Sequence, residues 1–440
     1  MNSETSVSEI NRIFQLQSKH QWLVKRSTAE QRIAKLARLK SAIQSREAAI
    51  RAALYADLRK SPEGDEAEIT GCYTDIDDAI NNLAQWMKPV DIESSPGLEH
   101  ARPRLTYEAK GIVLLFGPWN FPFCLVFQPL VAIVAAGNCA LVKPNEMAPH
   151  ISKVTAEIIR DVFDEQEVAV FEGGVELANQ LLEQPINHVF FTGSPAVGKI
   201  VMAAAAQHLA SVTLELGGKN PVVIDRTANI QEAAQKVAAW RNMNNGQVCL
   251  CPENIWVHEE QKEAFIATVQ ATYQAMFYVD GALNTEATGK IIDERNLQRV
   301  KGYIDDAREK GATVVCGGEV ENQAVHPTLL TDVPADAKIL AEEVFGPILS
   351  VFTYNDIDEV ITTLQQQPKP LAMYLFTESN EFVELMLQNT SSGGVTVNDC
   401  AIHYLERNLP FGGVNTSGIG RYHSIHGFKE LSHERAVLHT

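Results

Sequence analysis

The stretch "NMNNGQVCLCPENIW", residues 242–256, sets two thiols one residue apart behind a Gly-Gln pair. Cys249 has four readings on local grounds. A free cysteine is most often buried apolar filler. A disulfide between Cys249 and Cys251 demands strained geometry. A C-x-C pair can ligate a metal, but no second Cys/His pair lies nearby at zinc spacing, so no metal is expected. The fourth reading is a nucleophile, which needs a base and a donor for the charge that develops on attack. Both kinds of partner occur upstream. "LELGGKNP" (214–221) embeds Glu215 in an apolar strand beside two glycines. Burial there disfavours the carboxylate and lifts its pKa toward a base's working range. The alternative is a glutamate paired with a lysine such as Lys219. "PWNFP" (118–122) holds Asn120 between two prolines in a stiff loop at a strand's end. A rigid side-chain amide donates to an oxyanion without reorganising; an asparagine also suits a Pro-rich turn.

Two more stretches suit a phosphorylated ligand. "FTGSPAVGK" (191–199) follows a strand pattern and opens a helix. Gly193 and Gly198 let backbone approach a pyrophosphate, Ser194 adds a hydroxyl, and a helix N-terminus offers free N–H groups. This is not the G-x-G-x-x-G fingerprint, and a glycine-flanked helix start is commonly just a turn. "LVKPNE" (141–146) sits at a strand's carboxyl end, where open α/β sheets bind ligands. Lys143 can reach a phosphate or ribose and Glu146 can accept from ribose hydroxyls; a solvated loop pair is the plainer reading.

The elements that must position these groups alternate. Residues 29–57 read as one amphipathic helix with Ile33, Leu36, Leu39, Ile43 and Ile50 near one face. From 111 onward short apolar strands (111–116, 139–144, 168–174, 186–194, 211–216) alternate with helices near 126–136, 150–163, 175–184 and 195–209. A second series has strands at 220–225, 312–318, 348–354, 371–377 and 393–399. Its helices fall near 229–244, 261–277, 296–311, 357–367 and 380–390. Near-continuously apolar strands between helices predict α/β architecture with two parallel sheets, each covered on both faces. "RPRLTYEA" (102–109) and the tail after Gly427 fit neither series and are expected to form an extended arm.

Composition bounds the partners. With 37 basic and 55 acidic residues the net charge is −18, which opposes bulk binding to nucleic acid or an anionic membrane. Seven cysteines in 440 residues are too sparse for a disulfide scaffold, and the N-terminus has no basic segment followed by an apolar core. The expectation is a cytoplasmic protein with reduced thiols. No charge occurs between Lys110 and Lys143, yet Pro118, Asn120, Pro122, Pro129 and Asn138 divide that run into pieces too short to span a bilayer.

Taken together, "PWNFP", "LVKPNE", "FTGSPAVGK", "LELGGKNP", "GQVC" (246–249), "EEVFGP" (342–347) and "NLPFGG" (408–413) stand in the order and spacing of the aldehyde dehydrogenase superfamily. The chain resembles that family from about residue 105 to 435. Its short N-terminus, "RYH" (421–423) and "FKELSH" (428–433) resemble the class 3 group of fatty, aromatic and coniferyl-type aldehyde dehydrogenases; no apolar anchor follows the last motif. The resemblance implies an aldehyde dehydrogenase-like fold. Its NAD(P)-binding Rossmann-like domain would comprise 1–97 and 111–214, its catalytic domain 215–427, and its oligomerisation arm 98–110 and 428–440. It implies NAD as cofactor, with NADP possible, a small-molecule aldehyde as substrate, and a homodimer. It assigns Cys249 as nucleophile, Glu215 as general base and Asn120 as oxyanion donor together with the Cys249 N–H. Trp119, Lys143, Glu146, Gly193, Ser194, Gly198, Leu216, Glu343 and Phe345 fall to the cofactor. Three residues depart from the family pattern: Phe121 for a frequent Tyr, Asn415 with Thr416 after "PFGGV", and the extra thiol Cys251. Two other functions remain to be weighed, a relative that passes the acyl group to coenzyme A and a silent NAD-binding protein. Glu215 argues against the first, and Cys249, Glu215 and Asn120 together against the second.

Overall fold

The structure, a computed structural model, describes residues 6–440. Two open sheets organise the chain. The first has six strands in the order Gly418–Ile419, Ser211–Glu215, His188–Thr192, Ile112–Phe116, Cys139–Lys143, Val168–Val170, all parallel except the Gly418–Ile419 edge. The second has seven, in the order Thr313–Cys316, Thr328–Thr331, Ile348–Tyr354, Pro252–His258, Asn220–Ile224, Ala372–Phe376, Gly394–Val397, parallel except at the Thr313–Cys316 edge. Parallel strands buried on both faces explain the apolar runs: all five residues of Ile112–Phe116 and of Cys139–Lys143 are buried.

The uncharged run from 111 to 142 is a strand, the Asn120 loop, the Cys124–Ala136 helix and a second strand. No helix among the described residues is long and apolar enough to cross a membrane. The helix expected over 29–57 is two helices, Ala29–Gln44 and Glu47–Leu58. Arg46, with φ −119° and ψ 10°, leaves helical geometry, and the turn brings Leu36, Leu39 and Ile43 into one core with Ile50 and Leu54. Helices Val7–Lys25 and Pro62–Trp86 escape the sequence reading, as do strands Pro252–His258 and Thr328–Thr331. Arg102–Ala109 is a strand that pairs antiparallel, residue for residue, with Ser432–His439, and Val90–Asp91 extends the same small sheet. Residues 418–430 return to the first sheet: Gly418–Ile419 joins its edge and the Ser424–Glu430 helix packs on Cys124–Ala136.

Strand register places the loops. Phe116 pairs with Lys143 and Phe191, and Thr192 pairs with Glu215. The loops bearing Asn120, Glu146, Ser194 and Leu216 therefore leave one end of the first sheet. Strand Ile112–Phe116 lies at the centre, where connections turn outward in opposite directions and α/β sheets open a crevice.

Candidate active site

Residues 243–251 are not regular helix, and their backbone explains the Asn-Asn-Gly sequence. Asn244, Asn245 and Gly246 all have φ between 51° and 75°. Asparagine tolerates this left-handed region better than most residues, and glycine adopts it freely. At Gly246 the need is also steric, because a Cβ would lie 2.2 Å from the carbonyl carbon of Gly346. Side-chain amides then pin the loop. Asn220 Nδ2 donates to the carbonyls of Cys249 (2.7 Å) and Cys251 (3.0 Å). Asn245 exchanges two hydrogen bonds with the backbone of Val325. Gln247 donates to the Asn244 and Lys290 carbonyls and accepts from Ile292 N–H. Sequence reading missed these three amides; the left-handed preference of "NNG" was the available signal.

Asn120 is buried, and its Nδ2 donates to the Gln247 carbonyl at 3.1 Å. Asn244 Nδ2 returns a bond to the Asn120 carbonyl at 3.0 Å. The loop of Asn120 and the loop of Cys249 are thus stitched together. Cys249 is half-buried, whereas Cys251 is buried with its sulfur against the Trp240 and Arg241 carbonyls.

Glu215 ends its strand in the core, and neither carboxyl oxygen has a hydrogen-bond partner among the described residues. Burial raises its pKa well above the usual carboxylate range; Glu430 adds to this and Arg421 opposes it. Burial also raises the Cys249 thiol, with Glu343 and Glu215 next in effect, while its own backbone N–H favours the thiolate. Glu343 is pushed up to about 8, first by burial and then by Glu253. The two carboxyls thus lie within electrostatic reach of the thiol, and burial raises the proton affinity of all three. Lys219, weighed as a partner for Glu215, instead pairs with Glu253 at 2.7 Å.

The expected cofactor residues gather beside this pocket. Trp119 meets Phe345 edge to face at 5.3 Å between ring centres. The Glu343 carboxyl lies directly against Gly217, where a Cβ would displace it. A Cβ on Gly198 would meet Leu216 at 2.9 Å, so glycine lets the Pro195–Ala206 helix close on that residue. Ser194 caps the same helix through Val197 N–H, and Gly193 N–H donates to the Glu215 carbonyl at 3.0 Å. Lys143 is buried at the neighbouring strand end, its Nζ 2.6 Å from Glu146 Oε2. The donor set suits a dinucleotide: a helix N-terminus would take a pyrophosphate, and an ammonium–carboxylate pair would take ribose hydroxyls.

Comparison with known proteins gives the family. The model of the "Aldehyde dehydrogenase family" matches residues 3–437. AldX of Bacillus subtilis, whose name assigns it to the aldehyde dehydrogenases, is 46% identical over 98% of this chain and 97% of its own. Human aldehyde dehydrogenase family 3 member B1 is 38% identical over 93% of this chain and 87% of its own. The solved substrate-bound state of Staphylococcus aureus AldH superposes with a TM-score of 0.94 at 36% identity, covering 98% of this chain and 94% of that one. The family's cofactor is a nicotinamide dinucleotide, NAD or NADP. The chain belongs to the aldehyde dehydrogenase family and is an oxidoreductase of its class 3 kind.

Proposed function

We propose that the chain oxidises an aldehyde to the carboxylic acid through a thiohemiacetal and a thioester on Cys249. The observation that carries this reading is the buried Glu215 carboxyl, with no hydrogen-bond partner among the described residues and within electrostatic reach of the Cys249 thiol, with Asn120 bonded to the same loop. The thiol must lose its proton to attack, and the raised proton affinity of Glu215 and Glu343 makes either carboxylate a receiver. Attack by sulfur on the carbonyl carbon forms the C–S bond and leaves an oxyanion. Asn120 uses one amide hydrogen on Gln247, which leaves the second for that oxyanion, with the Cys249 N–H as the other donor. A bound dinucleotide would supply the hydride acceptor that takes this carbon to the thioester level. Glu215 then takes a proton from water, the hydroxide adds to the thioester carbonyl, and the tetrahedral adduct re-forms its carbonyl as the carbon–sulfur bond breaks and Cys249 leaves as thiolate.

Aromatic side chains favour an aliphatic medium- to long-chain or aromatic aldehyde. Tyr404, Phe411, Tyr422 and His423 pack edge to face or stacked, and Tyr404 Oη donates to Gln128 at 2.6 Å. Glu146 opposes a 2′-phosphate, which favours NAD over NADP. The small sheet leaves Ser432–His439 as an open edge suited to a second copy, so the assembly we favour is a homodimer. The acidic surface and seven free thiols suit the cytoplasm. The test is a panel of aliphatic and aromatic aldehydes against NAD and NADP, with acid and acyl-CoA products assayed separately. Acyl-CoA as the main product, or turnover surviving in Cys249→Ala, would refute it.

A further inference from the structure

Phe345 carries a bulky side chain at φ +47°, a region that costs a non-glycine residue conformational energy. Something must hold it there. Three charged side chains outside the assigned site surround its segment. Glu253 Oε1 accepts the backbone N–H of Val344 at 2.5 Å, on one side of Phe345. Arg241 donates to the Gly346 carbonyl on the other side and to the Pro252 carbonyl at 2.9 Å. Lys219 Nζ donates to the carbonyls of Ile339 (2.7 Å) and Glu342 (2.9 Å). The three are joined to one another. Lys219 meets Glu253 Oε2 at 2.7 Å, and Arg241 lies 3.7 Å from Glu253 Oε1. Arg241 and Glu253 are almost wholly buried.

Such a set is costly to desolvate, so its bonds to four backbone groups of one loop are its visible return. The held loop carries Glu343, which abuts Gly217, and Phe345, which abuts Trp119 beside Asn120. Its Gly346 backs directly onto Gly246 of the Cys249 loop. We propose that Lys219, Glu253 and Arg241 are positioning residues that fix residues 342–346 so that Glu343 and Phe345 stand at the Cys249 pocket. The inference rests on the reading above, in which Glu343 and Phe345 serve the cofactor beside the reacting Cys249, so that this loop would meet the nicotinamide half of the dinucleotide. It predicts that loosening the three separates two functions. Holding the adenosine half is unaffected, and presenting the reacting half is lost.

The variants are Glu253→Gln and Lys219→Met, with Lys219→Arg as the conservative control. Hydrogen exchange on the ligand-free protein reads the peptide spanning 339–347 directly. ADP-ribose binding reads the adenosine half, and the stopped-flow NADH burst reads hydride transfer. The expected result is exchange at least about tenfold faster in 339–347 alone. ADP-ribose affinity stays within about twofold, and the burst slows about tenfold or more. Lys219→Arg recovers part of both losses. Unchanged exchange in both variants overturns the positioning role. Faster exchange across the whole second sheet, with loss of ADP-ribose binding, also overturns it, because that marks general structural damage. Faster local exchange with an unchanged burst instead refutes the reading that this loop serves the nicotinamide half.

Discussion

Glu68→Gln is the perturbation whose cost the structure specifies most closely. Lys60 and Glu68 form an ion pair at 2.6 Å, with side chains 2% and 0% exposed. The other Glu68 oxygen accepts the N–H groups of Phe123 (2.9 Å) and Cys124 (3.1 Å), so it caps the helix that follows the Asn120 loop. Lys60 also stands 3.7 Å over the Phe121 ring. Glutamine keeps an oxygen for the cap but removes the charge that balances Lys60. Leaving one member of a buried pair unbalanced costs about 3–5 kcal/mol. The Lys60–Phe121 contact is present in both chains and cancels. The full loss of about 3–5 kcal/mol is therefore expected. Lys60→Met combined with Glu68→Gln removes both charges and keeps the cap acceptor, so the double variant is expected to be about 2 kcal/mol more stable than Glu68→Gln alone. Urea unfolding followed by tryptophan fluorescence measures all three chains. A single variant within about 1 kcal/mol of the parent, or a double variant less stable than the single, would refute the argument.

Cys249→Ala is expected to cut dehydrogenase turnover at least about a thousandfold, whereas Cys251→Ala, lacking a thiol that faces the helix end at Trp240, retains most of it; steady-state NADH formation decides. Glu215→Gln is expected to release about one NADH per site in a burst and then turn over slowly, because hydride leaves before water attacks; a missing burst would place Glu215 in thiol activation. Asp75 is buried beside Arg407 and its carboxyl is raised from 3.8 to about 6 by burial. A raised folded pKa means the native state holds the proton more tightly, so this contribution is complete below pH 3.8 and is lost as pH rises through about 6. It amounts to about 3 kcal/mol, and Asp75→Asn should remove that part of the stability–pH curve between pH 4 and 7 in parallel urea titrations. A chain ending at Gly427 loses the strand that pairs with Arg102–Ala109 and is expected to become monomeric by light scattering; a retained dimer would exclude the arm.

The sequence alone determined what depends on short-range chemistry. Buried parallel strands need apolar side chains on both faces, so Ile112–Phe116 and Cys139–Lys143 are legible as runs. Loops that must turn tightly at strand ends need glycine, proline and asparagine, so "PWNFP", "LELGGKNP" and "GQVC" stand out and keep their order along the chain. Strand Pro252–His258 was illegible because Glu253 and Asn254 look like surface residues, yet both are buried. Their burial depends on charges and amides that arrive from elsewhere, Lys219 and Arg241 among them. Tertiary structure alone decided which lysine meets which carboxylate, because pairing depends on distance in space. Lys219 lies four residues from Glu215 yet serves Glu253, thirty-four residues away. It also buried Glu215 without a hydrogen-bond partner among the described residues, and that burial raises its proton affinity. The left-handed turn at Phe345 belongs to the same class, since no propensity of "EEVFGP" demands it and only the packing of Trp119, Gly246 and the Glu253 carboxylate against that loop can hold it.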